Sequence, residues 1–247
     1  MNNQWGTILL VAIGLLTGSA HAQGSFINLD FESASLVPVP GDPYGRVQLS
    51  SALPGWTGCV DGTREVRALY DNKFLDSSGI GLMDTGYASG FYVRQGSYAV
   101  LLQAGVRLGT TDQPADVTLS QTGVVPDGSQ SLLFDALFSY GRPPTSFAVK
   151  LGGQALSLVP LSNKGNFTLY GADIHTLAGQ TAELNFTLFS GIPHIDSASL
   201  AVDSIRFSTQ PIPEPGVPGL LILGGLIFGL HSVRGFKAIK KPIHSNS

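Results

Sequence analysis

The chain has 247 residues, 43% of them hydrophobic, with 14 Lys and Arg against 17 Asp and Glu and a net charge of −3 at pH 7. So few charges, tilted to the acidic side, do not suit a nucleic-acid partner, and a single cysteine rules out an internal disulfide framework or a cysteine-based metal site.

Ile8 to Leu16 is an apolar run too short to span a bilayer. Thr17-Gly18-Ser19 and the A-x-A sequence Ala20-His21-Ala22 follow, so residues 1–22 are expected to form a signal peptide cleaved before Gln23. Its leading segment lacks Lys and Arg, which leaves the amino terminus as the only positive group there.

Residues 23–208 are expected to form one exported domain, large enough for a single core. Between residues 23 and 212 there are 10 Lys and Arg and 16 Asp and Glu, a local net charge of −6. Apolar residues alternate with period two, and turn signals recur throughout. Strands are predicted at 26–31, 55–60, 80–83, 98–103, 116–121, 131–138, 146–151, 155–160, 167–170, 181–188 and 200–207, with no long helix. Gly152-Gly153 reads as a two-residue hairpin turn, because glycine accepts the positive φ such a loop demands. Strands without helices must bury their alternating faces against one another, so the fold class is all-β, a two-sheet jelly-roll sandwich.

Several residues in this body are candidates for binding. Trp56, between Pro54-Gly55 and Thr57-Gly58, is either a core anchor or an aromatic platform for a sugar ring. The irregular segment from Asp71 to Gly96 carries Tyr87, Phe91, Tyr92 and Arg94, a set able to line a glycan groove. Tyr44 and Tyr140 are further loop-tip aromatics. Cys59 reads as a small buried hydrophobe. His175 and His194 fall in no metal or catalytic spacing, and no G-x-S-x-G elbow is present, so the chain is not expected to be an enzyme.

Beyond residue 208 the character changes. Residues 209–216 form a linker that contains Pro213, Glu214 and Pro215. Residues 217–233 carry no formal charge and, as a helix, would span roughly 25 Å, close to the thickness of a hydrocarbon core. Arg234, Lys237, Lys240 and Lys241 follow in the tail 234–247, so the positive-inside rule places that tail in the cytoplasm and the body outside. The expectation is a single transmembrane helix.

Two resemblances add to this reading. Pro213-Glu214-Pro215, the Leu/Gly-rich run and the basic cluster together resemble a PEP-CTERM sorting domain. That resemblance implies an exosortase-type processing enzyme as partner, at least transient anchoring in the inner membrane, and delivery of the domain to the cell surface or exopolysaccharide matrix. Leu29-Asp30-Phe31-Glu32, Leu53-Pro54-Gly55-Trp56, Leu119-Ser120-Gln121-Thr122 and Val202-Asp203-Ser204-Ile205-Arg206-Phe207 resemble galactose-binding-like jelly rolls, the fold of many carbohydrate-binding modules. The resemblance implies that Glu32 and Asp203, with Asp30 nearby, are candidate ligands for a structural calcium, with no other cofactor expected. The functional expectation is a structural or adhesive envelope protein associated with exopolysaccharide. The alternative is a lectin-like module that binds a soluble glycan through the segment from Asp71 to Gly96, and a glycan-active enzyme is the third reading.

Overall fold

A computed structural model describes residues 24–74, 76–140, 146–191 and 197–212. The expected signal peptide, the Pro213-Glu214-Pro215 motif, the span 217–233 and the basic tail lie outside the described residues. Among the described residues, no helix is long and apolar enough to cross a membrane.

The alternating pattern folds into strands. They are β1 (Val47–Gln48), β2 (Thr57–Val60), β3 (Thr63–Glu65), β4 (Arg67–Tyr70), β5 (Gly79–Asp84), β6 (Tyr98–Val106), β7 (Pro114–Ala115) and β8 (Val117–Val124). The second half contributes β9 (Ser131–Tyr140), β10 (Phe147–Leu151), β11 (Gln154–Ala155), β12 (Val159–Lys164), β13 (Phe167–Asp173), β14 (Thr181–Leu188) and β15 (Ala198–Ser208). A single helical turn, α1 (Leu49–Ala52), follows β1.

Among the described residues these strands form two sheets. The larger has nine strands in the order β1, β4, β5, β6, β15, β9, β13, β12, with β7 paired to the end of β6. The smaller has six, in the order β11, β10, β14, β8, β2, β3. Pairing is antiparallel except between β4 and β5. Among the described strands the chain crosses between sheets from β1 to β2, β3 to β4, β7 to β8, β8 to β9, β9 to β10, β11 to β12, β13 to β14 and β14 to β15, so the two layers are interwoven.

The core lies where the inner faces meet. Val100, Leu102, Leu132, Phe134, Leu200 and Val202 of the larger sheet pack against Leu119, Val149, Leu184 and Phe186 of the smaller. Phe134 and Phe186 bridge the layers edge to face, with ring centroids 5.2 Å apart. Trp56 belongs to this core rather than to a surface. It is 4% exposed, lies against Phe31 and Phe186, and donates its indole N–H to the Asn28 carbonyl at 3.0 Å.

The hairpin at Gly152-Gly153 forms as expected, with φ of 58° and 78° and Leu151 opposite Gln154. Other expectations need correction. Residues 26–31 are not a strand: Asn28 and Phe31 have left-handed φ of 49° and 64°, and only Ser25 bridges the sheet, at Val124. In place of a neighbouring strand, the buried Gln121 side chain serves Ile27. Its Oε1 accepts the Ile27 amide at 2.6 Å, and its Nε2 donates to the Ile27 carbonyl at 3.0 Å. A side-chain amide thus satisfies backbone groups that a ladder would otherwise pair.

The predicted strand 155–160 is two strands in different sheets. β11 pairs with β10 in the smaller sheet, and β12 pairs with β13 at the edge of the larger. Pro160 lacks an N–H and is tolerated because β12 is an edge strand. Asp203 sits mid-strand in β15 at a bulge, where the register shifts and Ser204 has φ of 52°.

One feature of the larger sheet positions the site. Its outer face carries a second apolar cluster of Met83, Leu101, Phe167 and Ala201, so β6 and β15 are buried on both faces at this point. The segment 85–97 lies over this cluster, with Tyr87 and Tyr92 packed onto it.

Candidate functional site

The strap 85–97 joins β5 to β6 and is held by carboxylates at both ends. At its start, Asp84 Oδ1 accepts the Gly86 amide at 2.6 Å and the Tyr87 amide at 3.1 Å, while Oδ2 takes the Tyr70 hydroxyl at 2.6 Å. That last bond lowers the Asp84 pKa and raises that of Tyr70. At the far end, Asp203 Oδ2 accepts the Arg94 and Gln95 amides at 2.8 and 2.9 Å. Glu32 accepts the Ser97 amide at 2.9 and 3.0 Å and the Tyr98 amide at 2.9 Å. Gly96 has φ 72°, a backbone conformation that glycine adopts without strain, and an added Cβ there would displace the Glu32 carboxylate.

Between these anchors the strap turns through Ala88, Ser89 and Gly90 with φ of 48°, 54° and 75°. Left-handed backbone costs a residue with a Cβ roughly 1–2 kcal/mol, while glycine adopts it freely. Ala88→Gly and Ser89→Gly are therefore each expected to stabilise the protein, by up to about 1 kcal/mol once glycine's greater unfolded-state entropy is subtracted. Urea melts of the single variants check this. A loss of stability on either substitution would show that the turn is held by contacts to Cβ.

Of the predicted aromatics, Tyr87 and Tyr92 are partly buried on the sheet with centroids 5.8 Å apart. Lys73 Nζ donates to the Tyr92 hydroxyl at 2.8 Å and lies 4.9 Å from its ring centroid. Phe91, 44% exposed, stands edge-on to Tyr92. The aromatics hold the strap down, and Phe91 is the member of the trio that offers substantial free surface.

Arg94, Glu32 and Asp203 are brought together. They line a cleft of about 410 Å³ beside the strap, with Asp30, Gln95, Gly96, Asp135, Lys164, Ser204, Ile205 and Arg206. Asp135 and Asp203 are cross-strand neighbours on β9 and β15. Asp203 is 0% exposed, and burial raises its pKa above the usual carboxylate value. Asp135 is 6% exposed, and its Oδ1 has no hydrogen-bond partner. Three buried side-chain polar atoms among the described residues lack partners, and two of them, Asp135 Oδ1 and Arg94 Nε, line this one cleft. No ion pair joins these two residues among the described residues.

A calcium ion needs six to eight oxygens. Among the described residues no three Asp, Glu, His or Cys side chains converge to hold a metal. Glu32 and Asp203 instead accept backbone amides, an arrangement that secures the strap rather than forming a cation cage.

Other candidates lie elsewhere. His175 Nδ1 meets the Asp173 carboxylate at 2.8 Å on the surface, and Cys59 is a free, partly buried thiol in β2. His194 and the Tyr140 side chain lie outside the described residues. Asp135, Lys164 and Arg206 were not singled out in the sequence. The available signal for Asp135 was an acid in the middle of the apolar strand Leu132-Leu133-Phe134-Asp135-Ala136-Leu137, an expensive place for a charge unless something pairs with it.

No protein-family model and no curated protein matches the chain. Among solved structures, the chain is similar to the carbohydrate-binding module TmCBM61 in complex with β-1,4-galactotriose, at 13% identity and a TM-score of 0.45 over 76% of this chain and 100% of that one. It is similar to a carbohydrate-binding module of the β-sandwich superfamily described as promiscuous in specificity, at 10% identity and a TM-score of 0.41 over 76% of this chain and 63% of that one. It is also similar to the enzymatically active domain of bacteriophage CBA120 tailspike protein 4, at 15% identity and a TM-score of 0.34 over 63% of this chain and 19% of that one.

Proposed function

We propose that this chain is an exported glycan-binding β-sandwich of the cell envelope, and that it holds a saccharide in the cleft between the strap and β15. The observation that supports this is the orphan pair: a buried carboxylate oxygen that needs a donor and a buried guanidinium N–H that needs an acceptor, lining one cleft. A sugar hydroxyl donates and accepts at once, which is the chemistry that both kinds of group call for. The cleft's size falls within the range of small-ligand sites.

Binding fits better than hydrolysis. Glycoside hydrolysis needs two carboxyl groups that reach the substrate. Here Asp203 is sealed, and Glu32 is engaged by amides. Of the other lining carboxyls, Asp30 Oδ1 accepts the Glu32 amide and Asp135 Oδ1 has no partner.

Delivery belongs to the same reading. The signal peptide, the Pro213-Glu214-Pro215 motif, the apolar span and the basic end form a sorting address, with an exosortase-type enzyme processing the chain near the motif. Mass spectrometry of the envelope-associated protein is expected to find a carboxy terminus close to Pro215. Recovery of intact residues 217–247 would count against processing.

The glycan reading is tested with the full chain purified in mild detergent on a glycan array. Asp135→Asn and Arg94→Gln are each expected to reduce the signal more than tenfold. Asp135→Asn should at the same time raise the unliganded protein's stability by about 1 kcal/mol, because it relieves a buried carboxylate oxygen that has no donor. Unchanged array binding by both variants would overturn the assignment.

A further inference from the structure

A second hollow lies at the other end of β6, and its chemistry differs. The strap cleft adjoins Gly96 and Gln95, just before β6 begins, whereas this hollow is lined by Arg107 and Leu108, just after β6 ends. The two lie toward opposite ends of β6. The hollow measures about 210 Å³, and Arg46, Arg67 and Arg107 converge on it from three separate parts of the chain. Three of the ten basic residues between 23 and 212 therefore share one small site, on a body with a net charge of −6.

Two of the guanidinia are fixed in place. The enclosed Asp42 carboxylate accepts Arg46 Nε at 3.0 and 3.1 Å, Arg46 Nη2 at 2.8 Å and Arg67 Nη1 at 3.0 Å. The hydrogen bond from Arg46 holds Asp42 well below the usual carboxylate range. One carboxylate thus balances one of two guanidinia, and it engages Arg67 through a single nitrogen. Arg107 meets Asp61 at 3.2 Å in an exposed pair. Glu65 is the acid among the lining residues.

Apart from Ser78, the remaining side chains of the wall are apolar, Leu69, Phe74, Ile80 and Leu108 among them. Tyr44, 45% exposed, extends it: its ring stands edge-on to Phe74 with centroids 5.2 Å apart, and Arg46 lies 5.3 Å from its centroid. Planar guanidinium forks match carboxylate geometry, while an apolar and aromatic wall matches the C–H face of a sugar ring. We infer that this hollow binds an anionic saccharide unit, a hexuronate whose carboxylate meets Arg67 and Arg107 while its ring rests against Phe74 and Tyr44.

The test is biolayer interferometry of the full chain in detergent against immobilised oligoglucuronate and its neutral counterpart, oligoglucoside. Oligoglucuronate is expected to bind and oligoglucoside to bind at least tenfold more weakly, with the difference shrinking as salt screens the charges. Arg67→Ala and Arg107→Ala are each expected to weaken oligoglucuronate binding about tenfold or more. Arg67→Ala leaves the Arg46–Asp42 pair in place and Arg107→Ala removes an exposed pair, so melting temperatures should stay within a few degrees. Equal binding of the two oligomers, or oligoglucuronate binding unchanged in both variants, would overturn the inference. Asp135→Asn should leave oligoglucuronate binding intact, which separates a failure here from a failure at the strap cleft.

Discussion

Asp203→Ala is expected to lower the stability of the protein by about 2–4 kcal/mol and to release the strap. The carboxylate accepts two amides from the strap, and its loss strands both donors beneath an ordered segment, at 1–3 kcal/mol each. For a domain of this size that corresponds to a fall in Tm of roughly 5–15 °C. Limited proteolysis should then cut between residues 85 and 97 before any other part of the body.

Asp203→Asn should behave differently. Asparagine keeps an acceptor oxygen for both amides and carries no charge. Because burial raises the folded-state pKa of Asp203, its favourable contribution is present below the unfolded pKa and is lost as pH rises through the folded one. The asparagine variant is therefore expected to be at least as stable as the parent at neutral pH, with its advantage shrinking as the pH falls below the carboxylate range. Guanidinium melts at several pH values read this directly. An asparagine variant as damaged as the alanine one would show that the charge itself holds the strap.

Trp56→Ala is expected to cost about 3–5 kcal/mol, the range for removing a large buried aromatic. The ring fills the space between Phe31 and Phe186, and its N–H is the partner of the Asn28 carbonyl, in the irregular stretch that takes the place of a first strand. Trp56→Phe should retain most of the packing and lose about 1–2 kcal/mol with the hydrogen bond. The chain's other tryptophan, Trp5, lies in the expected signal peptide, so the processed protein reports its core through one fluorophore. Its emission should be blue-shifted and insensitive to added glycan. A shift on glycan addition would place a ligand against the core and contradict the burial.

Much of the architecture was legible because sheet burial writes itself into the sequence with period two. Thr181–Leu188 alternates cleanly, and its strand is found with the expected bounds. Tyr98-Ala99-Val100-Leu101-Leu102 is continuously apolar, which marks a strand buried on both faces, and the strap supplies its second cover. What failed was structure that depends on distant partners. Nothing near Ile27 reveals that a glutamine 94 residues away satisfies its backbone. The strands β1, β3 and β7, two or three residues each, are too short for a local pattern to announce them.

The site divides in the same way. The stretch 71–96 was visible as a long turn-rich segment, and Arg94, Glu32 and Asp203 do share a cleft. That the strap's tyrosines face the sheet could not be read locally, because a tyrosine anchoring a loop and one awaiting a ligand have the same neighbours in sequence. Asp135 and the trio Arg46, Arg67 and Arg107 depend on strand register and loop return, which are properties of the folded chain.

Receptors at both tips of one rigid strand would make each molecule a two-ended tie. Such a tie joins polymer chains best when neither partner is in excess: scarce protein leaves chains unlinked, and abundant protein caps them singly. The viscosity of a mixed neutral and acidic polysaccharide should therefore peak at an intermediate dose, a behaviour that a coat bound through one end cannot produce.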